Sequence, residues 1–237
     1  MQVIDTPALS STRWIKAAFQ LLRQQPIAWL GLMAAWLMVS FFIMIVPFIG
    51  LSTMHLLQPA FFAGFMLACR DQEAGKPVRP AHLFAAFHLG HRTIRSLLMI
   101  GAVGLLIGTL MGLALAAMGT PLEFARDPNG LPDLQAINIA MQGKEWLVIL
   151  GFFLTLLQMG IFWFAPPLLA FKPMPPSHAL RWSFFAFLSN FMPMILFAVI
   201  MLGSFFLAAF SLIGLILWMP ILAISNYTSY QTVFRES

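Results

Sequence analysis

The sequence contains few charged residues. Charged side chains make up 9% of the 237 residues, with 13 basic and eight acidic residues, whereas an average soluble domain has about 25%. Apolar residues make up 60% of the chain, and its mean hydropathy is +0.87. So few charges could not cover the surface of a water-soluble fold of this length. The composition therefore argues against a soluble enzyme and predicts a polytopic integral membrane protein.

Other absences narrow the range of functions. Cys69 is the single cysteine, so an internal disulfide is excluded. No acidic residue falls inside an apolar run, which argues against paired catalytic carboxylates and a buried ion path. The histidines at positions 82, 88 and 91 have no cysteine or carboxylate near enough to complete a zinc site. Basic residues are scattered between the apolar runs. We therefore expect no enzyme, metal, cofactor or nucleic-acid partner.

Long apolar runs predict the fold. They cover residues 27–46, 51–69, 96–118, 146–171 and 191–230, and the last is long enough for two spans. About 20 residues cross the roughly 30 Å hydrocarbon core of a bilayer as a helix. The sequence predicts an all-α, polytopic membrane helix bundle that forms a single domain over residues 1–237. We expect about six transmembrane helices, with five as the alternative.

The distribution of lysine and arginine predicts the orientation. Eleven of the 13 basic residues lie before the first span, between spans two and three, between spans four and five, or after the last. The longest loop, residues 119–145, holds only two of them. Basic loops stay on the cytoplasmic side. We therefore predict a multi-pass protein of the bacterial inner membrane, with both termini cytoplasmic and the 119–145 loop external.

A short motif indicates an internal repeat. The pattern K-P-x-x-P-[AS]-H occurs at residues 76–82 and again at 172–178. In both places an amphipathic segment follows, and a third such segment, residues 13–23, precedes the first span. The predicted unit is an interfacial helix followed by a transmembrane hairpin. It is used three times in the same orientation, over residues 8–70, 76–171 and 172–237.

Several motifs resemble a known family. They are W-x-x-A-x-x-L-x-x-x-x-P, loosely matched over residues 14–26, the K-P-x-x-P segment, F-W-F-A-P-P at residues 162–167 and Y-x-x-Y at residues 227–230. Together they resemble an uncharacterised family of proteobacterial six-span integral inner-membrane proteins. More loosely, the chain is similar to the membrane domain that some bacteria fuse to glycerophosphodiester phosphodiesterases. The resemblance implies the membrane and the span count, but no mechanism and no phosphodiesterase activity.

Two intramembrane patterns give candidate residues. Gly104, Gly108, Gly112 and Ala116 recur every four residues, which places them on one helix face where another helix can pack closely. That neighbour is either another span of the same chain or a second membrane protein, including a second copy. His55 and Gln158 are rare polar residues inside the spans, and with the prolines at 166 and 167 they are candidates to line a cavity.

A cytoplasmic belt of basic residues is the remaining candidate. At headgroup depth these side chains would contact anionic lipids. They are Arg13, Lys16, Arg23, Lys76, Arg79, Arg92, Arg95, Lys172 and Arg181. The favoured hypothesis is a non-catalytic protein that organises lipid or partner proteins at the cytoplasmic interface. The alternative is a small transporter or a permease that handles a lipid or other amphiphile.

Overall fold

The computed structural model describes residues 2–47, 49–117 and 142–235, and this part of the chain is almost entirely helical. The helices are α1 (Ser10–Gln24), α2 (Pro26–Met44), α3 (Gly50–Glu73), a 3-10 helix (Pro80–His88), α4 (His91–Ala117), α5 (Glu145–Phe162), α6 (Ala165–Phe171), α7 (Pro176–Ser189), α8 (Phe191–Ala209) and α9 (Leu212–Val233). Near the termini, Gln2–Val3 pairs antiparallel with Phe234–Arg235. The prediction of an all-α, polytopic membrane bundle is confirmed.

Within the described residues, five helical stretches are long and apolar enough to cross a bilayer. They are α2, α3, the first 24 residues of α4, the α5–α6 pair and α8. The sixth predicted span corresponds to α9, which is 22 residues long, or about 33 Å. Its first half is apolar and its second half, from Ser225, is rich in polar side chains. Most of the predicted 119–145 loop lies outside the described residues.

The second interfacial segment differs from its sequence prediction. The histidines at 88 and 91 and the arginines that follow predict one amphipathic helix in the interface, with an N-terminal extension of the next span as the alternative. The chain instead forms a 3-10 helix that ends at His88, turns at Gly90 and begins α4 at His91. Gly90 has a φ of 98°, a conformation that glycine adopts without steric cost. Consequently Arg92 and Arg95 lie on the first turns of a membrane helix.

The short helices pack in a cyclic pattern. α1 contacts α8 and α9, the 3-10 helix contacts α2 and α3, and α7 contacts α5 and α6. Each predicted interfacial segment therefore packs on the hairpin of the preceding predicted repeat, and the first packs on the last. We call the end of the bundle that carries α1, the 3-10 helix and α7 the basic end.

The packed core lies toward the basic end. In α2 the buried residues are Trp29, Leu32 and Met33, all in its first half, and in α8 no residue after Met201 is buried. Beyond these points large apolar side chains are exposed, and Phe210 is 91% exposed. Such a surface is stable in hydrocarbon, where apolar side chains need no cover. The helices therefore pack tightly at the basic end and less closely toward the opposite end.

Candidate functional site

A cavity of about 190 Å³ lies between α3, α4, α5 and α9. Of its lining residues, Gln158 lies about 20 Å along α5 from Glu145 and Gly104 about 20 Å along α4 from His91, at 1.5 Å per residue. α4 and α5 enter the bundle from opposite ends, and both residues lie near the midpoints of their membrane-spanning stretches. The polar lining residues of the cavity are His55, Gln58, Gln158 and Asn226, and the other lining residues are apolar or glycine.

The structure brings together residues from both candidate groups of the sequence. His55, Gln158 and Pro166 all line the cavity, together with Gly104 from the glycine face. Pro167 is buried in α6 and is absent from the lining. Among the described residues that line the cavity, His55 is the one with an ionisable side chain.

A break between α5 and α6 shapes one wall of the cavity. α5 ends at Phe162 and α6 begins at Ala165, because Pro166 and Pro167 have no N–H groups to continue the helix. At this break the Phe164 N–H donates to Oγ of Ser183 at 3.0 Å, and that hydroxyl donates to the Gly160 carbonyl at 2.9 Å. A regular helix would join Phe164 and Gly160 directly, so the serine of α7 is inserted into one turn.

Asn226 of α9 closes a second gap at the same break. The carbonyl of Trp163 would normally accept from the residue four positions later, which is Pro167 and has no N–H. Nδ2 of Asn226 donates to this carbonyl instead, at 2.7 Å. The indole N–H of Trp163 donates to Oγ of Ser229 at 3.0 Å. Freed backbone groups inside a membrane must find such partners, and here α7 and α9 provide them.

The glycine face of α4 contacts two neighbouring helices over part of its length. A Cβ at Gly104 would lie 3.3 Å from the ring of Phe162, and one at Gly108 would lie 3.2 Å from the ring of His55. Gly112 has nothing within 4 Å, and Ala116 is exposed. The face therefore meets α5 and α3 of the same chain near the cavity and is open farther along.

A closer helix approach lies outside the predicted series, at Gly101. A Cβ there would overlap the carbonyl oxygen of Leu56 and would lie 2.8 Å from its Cα. Gly64 likewise allows the 3-10 helix to pack against α3, since a Cβ would overlap the carbonyl oxygen of His82. Neither Gly101 nor Gly64 belongs to the predicted series that begins at Gly104 and recurs every four residues.

The predicted basic belt divides into different surroundings at the basic end. Arg92 and Arg95 line a groove of about 450 Å³ with Thr93, Ser96 and the 173–176 turn. No aspartate or glutamate is among the described residues that line this groove. Two arginines and two hydroxyl groups are well suited to binding an anion.

Most of the other belt residues lie near an acidic or an aromatic side chain. Nζ of Lys76 lies 3.3 Å from a carboxylate oxygen of Asp71, and Arg79 shares a groove with the same pair. Arg13 shares a second groove with Glu73. The remaining belt residues are Arg23 over the ring of Phe19, Arg181 over the ring of Phe185, exposed Lys16 and half-buried Lys172.

Comparison with known proteins places the chain in a family. It is 32% identical over 187 residues to the probable inner membrane protein BTH_II0599 of Burkholderia thailandensis, and the match covers 77% of this chain and 68% of that protein. The chain belongs to the family of this inner membrane protein. With its membrane-spanning helices, this relationship confirms the prediction of an integral inner membrane protein. No protein-family model and no solved structure matches the chain.

The comparisons give no support to the second resemblance. Nothing in them connects the chain to the membrane domains of glycerophosphodiester phosphodiesterases. The likeness rested on short motifs, of which F-W-F-A-P-P forms the helix break described above and Y-x-x-Y lies on α9. Both segments have structural roles in the packing of this bundle, so they carry no indication of phosphodiesterase chemistry.

Proposed function

We propose that this inner membrane protein is non-catalytic and binds a membrane amphiphile in its cavity. Of the two functions that the sequence suggests, this is the amphiphile-handling one. The observation that carries the proposal is an apolar cavity with a few polar groups at mid-membrane depth. Ligand sites are concave, mostly apolar and contain a small number of polar groups that fix orientation.

The size of the cavity fits part of an amphiphile. A cavity of about 150 Å³ lined by apolar side chains holds benzene, so 190 Å³ accommodates a short chain segment and a small polar group. The remaining chain would extend among the less closely packed halves of the helices, away from the basic end. Exposed apolar side chains such as Leu106, Phe153 and Phe206 lie on these parts of the helices.

The chemistry of the lining supports binding without catalysis. Hydrolysis or group transfer requires a nucleophile with a base, or a pair of titrating groups. Among the described lining residues, His55 is the single one with an ionisable side chain. A lone imidazole next to two glutamines and an asparagine can form hydrogen bonds to a ligand, but it lacks a catalytic partner.

Photolabelling in nanodiscs tests the proposal. The probe is a long-chain primary alcohol with a diazirine next to its hydroxyl end, and labelled peptides are mapped by mass spectrometry. Saturable labelling of α5 and α9 is expected. Gln158→Trp fills the cavity and should abolish it, whereas Ile149→Trp adds the same bulk to the same helix at a residue that is 69% exposed and should not. Equal labelling of both variants would contradict the proposal.

A second candidate function is supported by the groove at Arg92 and Arg95. Its two guanidinium groups have no acidic neighbour among the described lining residues, and the predicted orientation places them in the cytoplasmic leaflet, where anionic lipid is present. We infer that this groove binds a phosphate headgroup and so organises lipid around the bundle. Native mass spectrometry of an Arg92→Gln, Arg95→Gln double variant should show weaker retention of phosphatidylglycerol or cardiolipin, and unchanged retention would contradict this role.

A further inference from the structure

The side-chain amide of Asn226 has a fixed orientation. Asn226 is 1% exposed and belongs to the cavity lining. Nδ2 donates to the carbonyl of Trp163, and a carbonyl can only accept, so the amide cannot flip without losing this bond. The Trp163 carbonyl itself lacks a helical donor because Pro167 has no N–H. The proline therefore determines which atom of the Asn226 amide remains without a partner.

The other atom of the amide, Oδ1, is an acceptor without a donor. Oδ1 of Asn226 receives no hydrogen bond from the described part of the chain. The polar side chain of Asn190, by contrast, accepts from Thr6 and donates to the Ile4 and Ala186 carbonyls. Buried polar atoms without a partner are rare in folded proteins, and an unpaired acceptor is more costly inside a membrane than near water.

We propose that the cavity binds an amphiphile that carries a hydroxyl group, and that this hydroxyl donates a hydrogen bond to Oδ1 of Asn226. The inference rests on the proposed function and names the polar group of its ligand. A hydroxyl is preferred over an ammonium group because a full charge is expensive near the centre of a bilayer. An ether or ester oxygen is excluded as the contacting group because it has no proton to donate.

The other polar lining residues surround the same space. Gln158 and His55 face the cavity from α5 and α3, and each offers both donor and acceptor atoms. A hydroxyl that donates to Asn226 can accept in turn from one of these side chains. The lining thus matches one hydroxyl group on an otherwise apolar ligand.

Competition against the photolabel tests the inference in the wild-type protein. The competitors are 1-dodecanol and dodecyl methyl ether, compared at equal mole fractions in the bilayer. They share the chain and the oxygen, but only the alcohol can donate. We expect the alcohol to compete about fivefold more effectively, which is the effect of one net hydrogen bond. Equal competition would overturn the hydroxyl inference, including the case in which water occupies the Asn226 site, and would leave the proposed function intact.

Two variants then locate the discriminating atom. Asn226→Leu should bring the alcohol and the ether to equal potency, whereas Gln158→Leu removes a polar group of the same cavity and should preserve most of the preference. Loss of the preference in Gln158→Leu alone would overturn the assignment to Asn226. If Asn226→Leu does not fold, the wild-type comparison still decides whether a donor is required. If neither compound competes in any protein, the proposed function itself fails.

Discussion

The hydroxyl of Ser183 should make a large contribution to stability for a single oxygen atom. It is inserted into the helix turn at the α5–α6 break, where it accepts from the Phe164 N–H and donates to the Gly160 carbonyl. Ser183 is 0% exposed, so water cannot replace it. Ser183→Ala leaves two buried backbone groups to re-pair or remain unsatisfied.

The expected magnitude follows from these two bonds. Each unsatisfied buried group costs about 1–3 kcal/mol in soluble proteins, but hydrogen bonds within membranes average about 0.6 kcal/mol, with values up to about 1.7. Direct re-pairing of Phe164 with Gly160 would recover part of the loss, but α7 hinders the movement because a Cβ at Gly160 would already lie 3.0 Å from the Phe187 ring. We therefore expect Ser183→Ala to lower the free energy of unfolding by about 1–3 kcal/mol.

Reversible unfolding by dodecyl sulfate in mixed micelles, followed by tryptophan fluorescence, provides the measurement. The matched control is Thr155→Ala on α5, whose exposed hydroxyl donates to the Gly151 carbonyl at 2.8 Å. Its removal leaves no buried group unpaired, so the change should stay within about 0.5 kcal/mol. Equal stability of the two variants would refute the claim that Ser183 completes the hydrogen bonding of the break.

Three further predictions follow from the packing and the charges. Gly101→Val should destabilise the bundle by more than about 2 kcal/mol, because its Cβ would overlap the backbone of Leu56. Gly112→Val, which has open space around it, should be tolerated. Similar melting temperatures of the two variants in detergent would contradict the close packing at Gly101. Reporter fusions after Arg79, Lys172 and Ser237 should read cytoplasmic and one near residue 129 external, and an external signal at Lys172 would exclude the three-hairpin topology. Native mass spectra should show that the triple variant Arg13→Gln, Lys16→Gln, Arg23→Gln loses less anionic lipid than the double variant Arg92→Gln, Arg95→Gln does. The reason is that Arg13 shares its groove with Glu73. The opposite order would assign lipid binding to α1.

Much of the fold could be predicted from the sequence because hydrocarbon imposes simple rules. Apolar runs of about 20 residues must be helices, since no other open segment satisfies its backbone in lipid. The same scarcity of polar side chains made His55 and Gln158 visible as candidates for a cavity. The tandem prolines at 166 and 167 are also visible in the sequence, and they explain the break between α5 and α6 because neither residue can donate a helical hydrogen bond.

Asn226 and Ser183 could not be identified from the sequence, because their roles depend on contacts between distant parts of the chain. Asn226 and the Trp163 carbonyl are 63 positions apart, and Ser183 and Phe164 are 19 apart. Sequence spacing identifies the face of one helix but not the helix that will pack against it. The predicted glycine face shows this limit, because its Gly104 end contacts α5 while Gly101, outside the predicted series, lies closer to a neighbouring helix.

The central claim is that the cavity between α3, α4, α5 and α9 holds an amphiphile. Its most direct test is native mass spectrometry of the protein released from nanodiscs of the native membrane, comparing the wild type with Gln158→Trp and Ile149→Trp. We predict one retained amphiphile of uniform mass on the wild type and on Ile149→Trp, and its loss from Gln158→Trp. A wild-type protein that carries no such ligand, or a ligand that Gln158→Trp retains equally, would contradict the account.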